Sequence, residues 1–156
     1  MIICLGISGS GKSMLIHYLR ERCDDLFQGY VPIEIPEGEK PPMEPEPLLP
    51  VISTLGTDLI TLSRPGGKRT DPAETVEIRE VGGGLSPLWK SFTRGNTIKA
   101  MLFVVDSGAP EKIGNATVHL VEMLSSSQLE TASVMIVFNK TDVDCSRFAK
   151  VQYFEC

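Results

Sequence analysis

The chain has 156 residues, 42% of them hydrophobic, and a net charge of −5, which is typical of one globular domain. The acidic balance argues against a general affinity for nucleic acid or for anionic membranes. The cysteines at positions 4, 23, 145 and 156 match no zinc or CxxC spacing and are typical of reduced thiols in a cytoplasmic protein.

Signals for membrane attachment are absent from the sequence. No stretch approaches the roughly 20 apolar residues of a membrane span, and the opening apolar run is too short for a signal peptide. Ile2 breaks the N-myristoylation pattern, and Cys156 is the last residue, so it forms no prenylation box. We therefore expect a single domain over residues 1–156, a cytoplasmic location and no direct lipid anchor.

The first predicted unit is a strand, a loop and a helix. The apolar run Met1–Leu5 ends at Gly6, which predicts a buried strand that enters a glycine-rich turn. Beyond the turn, apolar residues recur at helical spacing. They are Leu15, Ile16, Leu19 and Cys23.

Residues 31–50 differ in composition from the rest of the chain. They contain seven prolines and five glutamates against one lysine. Proline removes backbone donors and like charges extend the chain, so the segment predicts a mobile loop with some polyproline II character. Both a bare spacer and a docking site for a proline-dependent partner fit this composition.

Strands and helices then alternate. Val51–Ser63 and Thr75–Val81, separated by the turn-like residues 64–68, predict an antiparallel hairpin. The later predicted elements are one or two helical turns within Leu85–Asn96, a central parallel strand over Ala100–Val105, a helix over Ile113–Leu124 and a buried strand over Val134–Phe138. This order predicts an α/β fold with a mostly parallel, doubly wound sheet and an antiparallel β2-β3 hairpin.

The octapeptide Gly6-Ile7-Ser8-Gly9-Ser10-Gly11-Lys12-Ser13 matches the phosphate-binding P-loop pattern in full. Glycines let backbone amides approach phosphates, and Lys12 supplies a charge for the β and γ phosphates. The Ser13 hydroxyl can ligate Mg²⁺. A plain glycine turn is the alternative, but the apolar strand before the pattern and the amphipathic helix after it favour nucleoside triphosphate binding.

The tetrapeptide Asn139-Lys140-Thr141-Asp142 follows the last predicted buried strand. The Asp142 carboxylate can accept hydrogen bonds from N1–H and the 2-amino group of guanine, a donor pair that adenine lacks. Such a tetrapeptide alone is often a polar turn. Together with the P-loop, it predicts that Asn139, Lys140 and Asp142 select GTP or GDP.

Two further sites complete the predicted constellation. The string Glu80-Val81-Gly82-Gly83-Gly84 ends a strand, and the Gly83 N–H could bind the γ-phosphate and reorganise when that phosphate leaves. The Thr54 hydroxyl could join Ser13 on Mg²⁺. An ordinary strand threonine is an equal alternative for Thr54.

With these motifs in order, the chain resembles the Arf family of small GTPases. Thr54-Leu55-Gly56 is similar to the family's switch I, and Val81-Gly82-Gly83 with Pro87-Leu88-Trp89 to its switch II. The resemblance extends to Leu102–Ser107, which is similar to the family's fourth strand. It implies effector and regulatory proteins that bind switch I and switch II, and roles in vesicle or ciliary traffic.

Several positions depart from the family pattern. Glu80 stands where aspartate is usual, and Gly84 stands at the catalytic glutamine, so we expect no catalytic residue and very slow hydrolysis. Ser8 replaces the usual glycine or aspartate. The usual N-terminal lipidated helix is missing, and after a possible sixth strand over Val151–Cys156 no residues remain for the final helix, which predicts a truncated C-terminus.

Three functions fit the sequence. A GTP-binding switch with very slow hydrolysis is favoured. A GTPase-like binding module, indifferent to nucleotide state, fits the changes at Glu80 and Gly84. A P-loop kinase or ATPase would need a lid and a second substrate site, for which the sequence offers no arginine-rich segment.

Overall fold

The computed structural model describes residues 1–21, 54–63 and 75–141. Within these ranges, five strands form one sheet: β1 (Ile2–Leu5), β2 (Thr57–Ser63), β3 (Thr75–Val81), β4 (Ala100–Asp106) and β5 (Ser133–Asn139). The helices are α1 (Lys12–Glu21), α2 (Trp89–Thr93) and α3 (Pro110–Leu124). Short 3-10 turns span Gly83–Leu88 and Ser127–Leu129.

The strand order is β2-β3-β1-β4-β5. β1 runs parallel to both β3 and β4, and β4 runs parallel to β5. β2 and β3 are antiparallel, with Thr57 opposite Val81 and Ser63 opposite Thr75. The predicted mostly parallel sheet with one antiparallel hairpin is therefore confirmed, and β1, β3, β4 and β5 end at one common edge.

Apolar side chains fill both faces of the sheet because alternate residues of a strand point to opposite sides. On one face, Trp89 meets Phe103 edge to face, with ring centroids 6.0 Å apart. Helix α3 adds the buried Met123 to this cluster. On the other face, Ile16 of α1 packs with Cys4 and Val104. Helices on both faces fix β1 and β4 in the interior of the sheet.

Three predicted elements differ from the structure by more than one residue or in type. β2 begins at Thr57, so Thr54 precedes the strand. Helix α3 begins at Pro110 rather than Ile113, because proline suits the first helical position and Glu111 complements the helix dipole. The helical turns predicted within Leu85–Asn96 are a 3-10 turn that contains Pro87, followed by α2, which ends at Thr93.

The strand predicted over Val134–Phe138 is confirmed as β5, but the prediction that it is buried was wrong. Met135 is 61% exposed and Phe138 is 55% exposed. Within the described part of the chain, β5 is the last strand of the sheet and pairs only with β4. The apolar composition of β5 therefore predicted a strand, but it did not predict whether other elements pack on that strand and bury it.

Some predictions lie outside the described residues. These are the proline- and glutamate-rich segment 31–50, the turn at 64–68, the sixth strand over 151–156, Asp142, and the cysteines at positions 23, 145 and 156. Among the residues that are described, no helix is long and apolar enough to cross a membrane.

Candidate nucleotide and magnesium site

The P-loop lies where β1 ends and α1 begins. Its backbone folds back on itself through a hydrogen bond from Ser10 N to Ile7 O of 3.2 Å. Gly9 and Gly11 have φ angles of 80° and 88°, in the region that glycine adopts without a Cβ penalty. These two glycines turn the chain into the first turn of α1, whose positive N-terminus favours an anion.

A cavity of about 360 Å³ opens beside this loop. Residues of the P-loop, of the two segments that resemble switch I and switch II, and of the segment after β5 line it together. They are Ser8, Gly9, Gly11, Lys12, Ser13, Met14, Thr54, Glu80, Gly83 and Lys140. The topology thus brings four distant parts of the sequence around one cavity.

Lys12 is the buried cation of the cavity, with 5% of its surface exposed. Its ammonium donates hydrogen bonds to the carbonyl oxygens of Gly6 and Ile7, at 2.8 and 3.2 Å. Burial lowers the Lys12 pKa, and the negative charge of Glu80 opposes that shift. An ammonium held at the loop by neutral carbonyls can exchange these acceptors for phosphate oxygens, which bear charge.

Three oxygen atoms converge at the start of α1, and we call Ser13, Thr54 and Glu80 the oxygen cluster. Ser13 Oγ lies 2.6 Å from Glu80 Oε1 and 3.1 Å from Thr54 Oγ1. Thr54 Oγ1 lies 3.3 Å from the same carboxylate oxygen. Hydroxyl and carboxylate oxygens are the ligands that Mg²⁺ prefers. The residues present therefore fit a magnesium ion, and Ser13 and Thr54 are the pair predicted to hold it.

The glycine segment, Gly82–Gly84, is held differently at each residue. Gly82 N donates to Gly56 O at 2.9 Å, and a Cβ at Gly82 would overlap the carbonyl oxygen of Thr54. A Cβ at Gly83 would overlap the Ser8 amide nitrogen and lie 2.7 Å from Ser8 Cα. A Cβ at Gly84 would meet nothing within 4 Å. Only the first two glycines are required by close packing.

Trp89 anchors the glycine segment, and the sequence reasoning assigned it no role in the site. Its side chain is 1% exposed, and the indole Nε1–H donates to the Gly82 carbonyl oxygen at 3.3 Å. The ring also meets His119 of α3, with ring centroids 5.4 Å apart. The sequence could have pointed to this contact, because the single tryptophan lies two residues after Pro87 and a buried indole N–H usually needs a hydrogen-bond acceptor.

The last residue of β5, Asn139, contacts the P-loop, and Lys140 follows it. Asn139 Nδ2 donates to Ser10 O at 2.9 Å. Lys140 adopts a φ of 60°, and its ammonium lies 2.8 Å from the buried Asp106 carboxylate. Asp106 was not predicted as a site residue, although its position at the end of β4 places it at the ligand-binding edge. Asp142, predicted to read the base, lies beyond the described residues.

All predicted site residues that the structure describes lie around this one cavity or contact its lining. The sequence profile of the ADP-ribosylation factor family matches residues 72–152, more than half of the chain. The chain belongs to the ADP-ribosylation factor family. In this family member, the matched range includes the glycine segment and the residues that follow β5.

Individual relatives agree with the family match. Human ADP-ribosylation factor-like protein 16 is 32% identical over 145 residues, which cover 93% of this chain and 61% of the relative. ADP-ribosylation factor-like protein 4D of Bos taurus is 26% identical over 144 residues, covering 90% of this chain and 58% of that protein. This family member therefore spans about three fifths of the length of the curated relatives it matches.

A solved structure supports the fold. The small GTPase Arl6 (BBS3) of Trypanosoma brucei, determined with the bound nucleotide analogue GppNp, superposes with a TM-score of 0.56 at 17% sequence identity. The match covers 88% of this chain and 63% of that one. At this identity the comparison shows a shared small-GTPase fold. The predicted fold class and family are thereby confirmed.

Proposed function

We propose that this chain is a GTP-binding molecular switch of the Arf-like type with very slow intrinsic GTP hydrolysis. The observation that carries the proposal is the shared cavity, in which Lys12 and Ser13 of the P-loop face Thr54 and Gly83 of the two switch regions. Both switch regions lie where they could sense a bound phosphate. We further propose that residues 1–156 act as one cytoplasmic domain.

The phosphate groups would be bound by the P-loop amides and by Lys12. Mg²⁺, when bound, neutralises charge on the β and γ phosphate oxygens. Ser13 and Thr54 would hold the ion from the P-loop and from switch I. Gly83, whose backbone packs on Ser8, would offer its N–H to the γ-phosphate. Loss of that phosphate would release Thr54 and Gly83 together.

Selection of guanine would depend on Asn139 at the end of β5 and on the residues that follow it. The Asn139 amide bonded to Ser10 O and the Lys140 ammonium bonded to Asp106 tie that segment to the sheet edge. Asp142 follows two residues later and would supply the carboxylate that recognises N1–H and the 2-amino group. ATP would bind more weakly because it offers no matching donor pair.

Slow hydrolysis follows from Gly84. In small GTPases a glutamine side chain orients the attacking water, and a glycine offers no side chain to do so. Effector and regulatory proteins would bind switch I and switch II, where Leu55 is 90% exposed. A place in membrane or ciliary traffic is proposed from family membership.

Titration with a fluorescent guanine nucleotide tests this proposal. We expect GTP and GDP to compete for the site and ATP to compete poorly. Lys12→Ala should abolish binding and Asp142→Ala should weaken it. Lys90 is exposed and does not line the cavity. Lys90→Ala is therefore the matched control for the loss of a lysine, and it should leave nucleotide affinity unchanged. Equal affinity for ATP would refute a guanine-nucleotide switch.

A second candidate is a binding module whose partner contacts do not depend on nucleotide state. It is favoured by direct contacts between protein groups across the site, since Thr54 and Glu80 already bond to Ser13 and Gly83 packs on Ser8. Partner binding measured with GDP and with a non-hydrolysable GTP analogue separates the two functions. Equal binding would favour the module.

A further inference from the structure

We propose that Asp106 is a positioning residue of the nucleotide site, because its buried carboxylate fixes the Lys140 side chain along the wall of the cavity. This inference rests on the proposed function, since Lys140 is one of the residues proposed to bind the guanine nucleotide. Asp106 itself does not line the cavity, so it would act on the nucleotide through Lys140. It would then belong to the site although it lies outside both the P-loop and the tetrapeptide that begins at Asn139.

Both oxygen atoms of the Asp106 carboxylate are engaged. Asp106 is the last residue of β4 and is 4% exposed. Its Oδ1 accepts a hydrogen bond from the Gly108 backbone N–H at 3.0 Å, and its Oδ2 accepts one from the Lys140 ammonium at 2.8 Å. The first bond is made within the loop after β4 and orients the carboxylate. The second oxygen is therefore held in a fixed position, from which it forms a charge-assisted hydrogen bond with Lys140.

Lys140 has an uncommon backbone conformation, and its side chain borders the cavity. Its φ of 60° is in the left-handed region, which residues other than glycine adopt rarely because their Cβ approaches the next carbonyl oxygen. The side chain lines the cavity, and its Cε lies 3.9 Å from the point where a Cβ at Gly11 would be. The side chain thus passes the P-loop before its ammonium reaches Asp106. The ion pair fixes the end of this side chain and favours the backbone conformation from which it starts.

Backbone contacts hold the ends of β4 and β5 together without the ion pair. Asp106 lies opposite Asn139 in the sheet, and the Ser107 N–H donates to the Asn139 carbonyl at 2.9 Å. The Asn139 side chain in turn donates to Ser10 O at 2.9 Å. Loss of the Asp106 charge should therefore release Lys140 and leave the strands and the P-loop in place.

The two partners differ in exposure, which separates an effect on binding from an effect on folding. The Asp106 side chain is 5% exposed, whereas the Lys140 side chain is 39% exposed. A buried carboxylate left without its cation is costly, but an ammonium near the surface can turn into water. We therefore expect neutralisation of Asp106 to weaken nucleotide binding with little loss of stability, and removal of Lys140 alone to destabilise the fold.

Asp106→Asn tests the role of the charge, because asparagine keeps the shape of the side chain and can still accept the Gly108 N–H. A double variant, Asp106→Asn with Lys140→Gly, also removes the ammonium, and glycine adopts a φ of 60° without a Cβ penalty. Glu122→Gln is the matched control, since Glu122 forms an exposed ion pair with Lys90 at 3.0 Å. The dissociation constant for GDP is measured by competition against a fluorescent guanine nucleotide, and stability by urea unfolding.

We expect Asp106→Asn to raise the GDP dissociation constant by at least about tenfold, the size expected for a lost hydrogen bond between charged groups. Its urea midpoint should stay close to that of the wild type, and Glu122→Gln should bind GDP as the wild type does. The double variant should bind GDP no more weakly than Asp106→Asn, because a released Lys140 side chain no longer contributes to binding.

Three results would overturn the inference. A further loss of affinity in the double variant would show that Asp106 and Lys140 act independently. A marked fall in the urea midpoint of Asp106→Asn would indicate a structural role. A loss of GDP affinity below about threefold in Asp106→Asn would show that the ion pair does not position the site. Failure of the wild type to bind GDP would instead refute the proposed function itself.

Discussion

Gly83 offers the sharpest test of how the switch would work. A Cβ there would overlap the Ser8 amide nitrogen and the Ile7 carbonyl carbon, and lie 2.7 Å from Ser8 Cα. All three atoms belong to the backbone of the P-loop, so no side-chain rotation can relieve the overlap. Gly83→Ala should therefore prevent the glycine segment from docking on the P-loop.

The expected size of the effect follows from overpacking. Insertion of a methyl group into a closely packed site costs about 1–3 kcal/mol, which corresponds to a factor of about 5 to 150 in a binding constant. If docking of the glycine segment is needed to bind the γ-phosphate, affinity for a non-hydrolysable GTP analogue should fall by this factor. Affinity for GDP should change much less, because the undocked segment can move away.

The assay is competition against a fluorescent guanine nucleotide, with the ratio of the two dissociation constants as the readout. Gly84→Ala is the matched control, since a Cβ at Gly84 meets nothing within 4 Å, and its ratio should stay within about twofold of the wild type, well below the loss expected from overpacking. Urea unfolding followed by circular dichroism checks that both variants fold. Equal ratios for Gly83→Ala and Gly84→Ala would refute the reasoning.

Three further predictions concern hydrolysis, stability and pH. Gly84→Gln should raise the single-turnover rate of GTP hydrolysis by at least about tenfold, whereas Gly84→Ala should not; equal rates would mean that another step is limiting. Trp89→Phe should lower the unfolding free energy by about 1–3 kcal/mol, measured with urea, because it leaves the Gly82 carbonyl without its indole donor; no loss would show that the bond is unimportant. Burial, reinforced by the nearby Glu80 charge, raises the pKa of Cys4 from 9.0 to about 12, so the thiol stabilises the fold fully below pH 9 and less as pH rises toward 12. Above pH 9 the wild type should lose up to about 1.4 kcal/mol per pH unit more than Cys4→Ala, and equal slopes would contradict this.

Much of the fold was predictable because its signals are local. The apolar run before Gly6 and the one that ends at Asp106 correspond to β1 and β4, and alternation identified β3 with its observed bounds, Thr75–Val81. Burial of β5 was not predictable. An apolar run indicates a strand, whereas its exposure depends on which elements pack beside it, and that is a property of the tertiary structure.

In the site too, features that depend on local sequence were predictable, and contacts that depend on the tertiary structure were not. Motif spacing predicted Lys12, Ser13 and Asn139 as site residues because the P-loop and N-K-x-D patterns are contiguous in sequence. The direct contact between Glu80 and Ser13 joins residues far apart in sequence, and it depends on the register that sets β3 beside β1. The hydrogen bond from the Trp89 indole to the Gly82 carbonyl likewise depends on the course of the backbone between these residues, which the spacing of residues in the sequence does not reveal.

Each of the three glycines after Val81 stands in a different packing environment. Gly82 must be small to approach the Thr54 carbonyl, and Gly83 must be small to lie on Ser8. Gly84 faces open space, so the fold would accept a longer residue there. Packing therefore does not impose the glycine at the position where the family carries its glutamine. Under the proposed function, docking of the glycine segment and orientation of the attacking water would be separable, and a chain that keeps Gly82 and Gly83 would respond to nucleotide even where hydrolysis is slow.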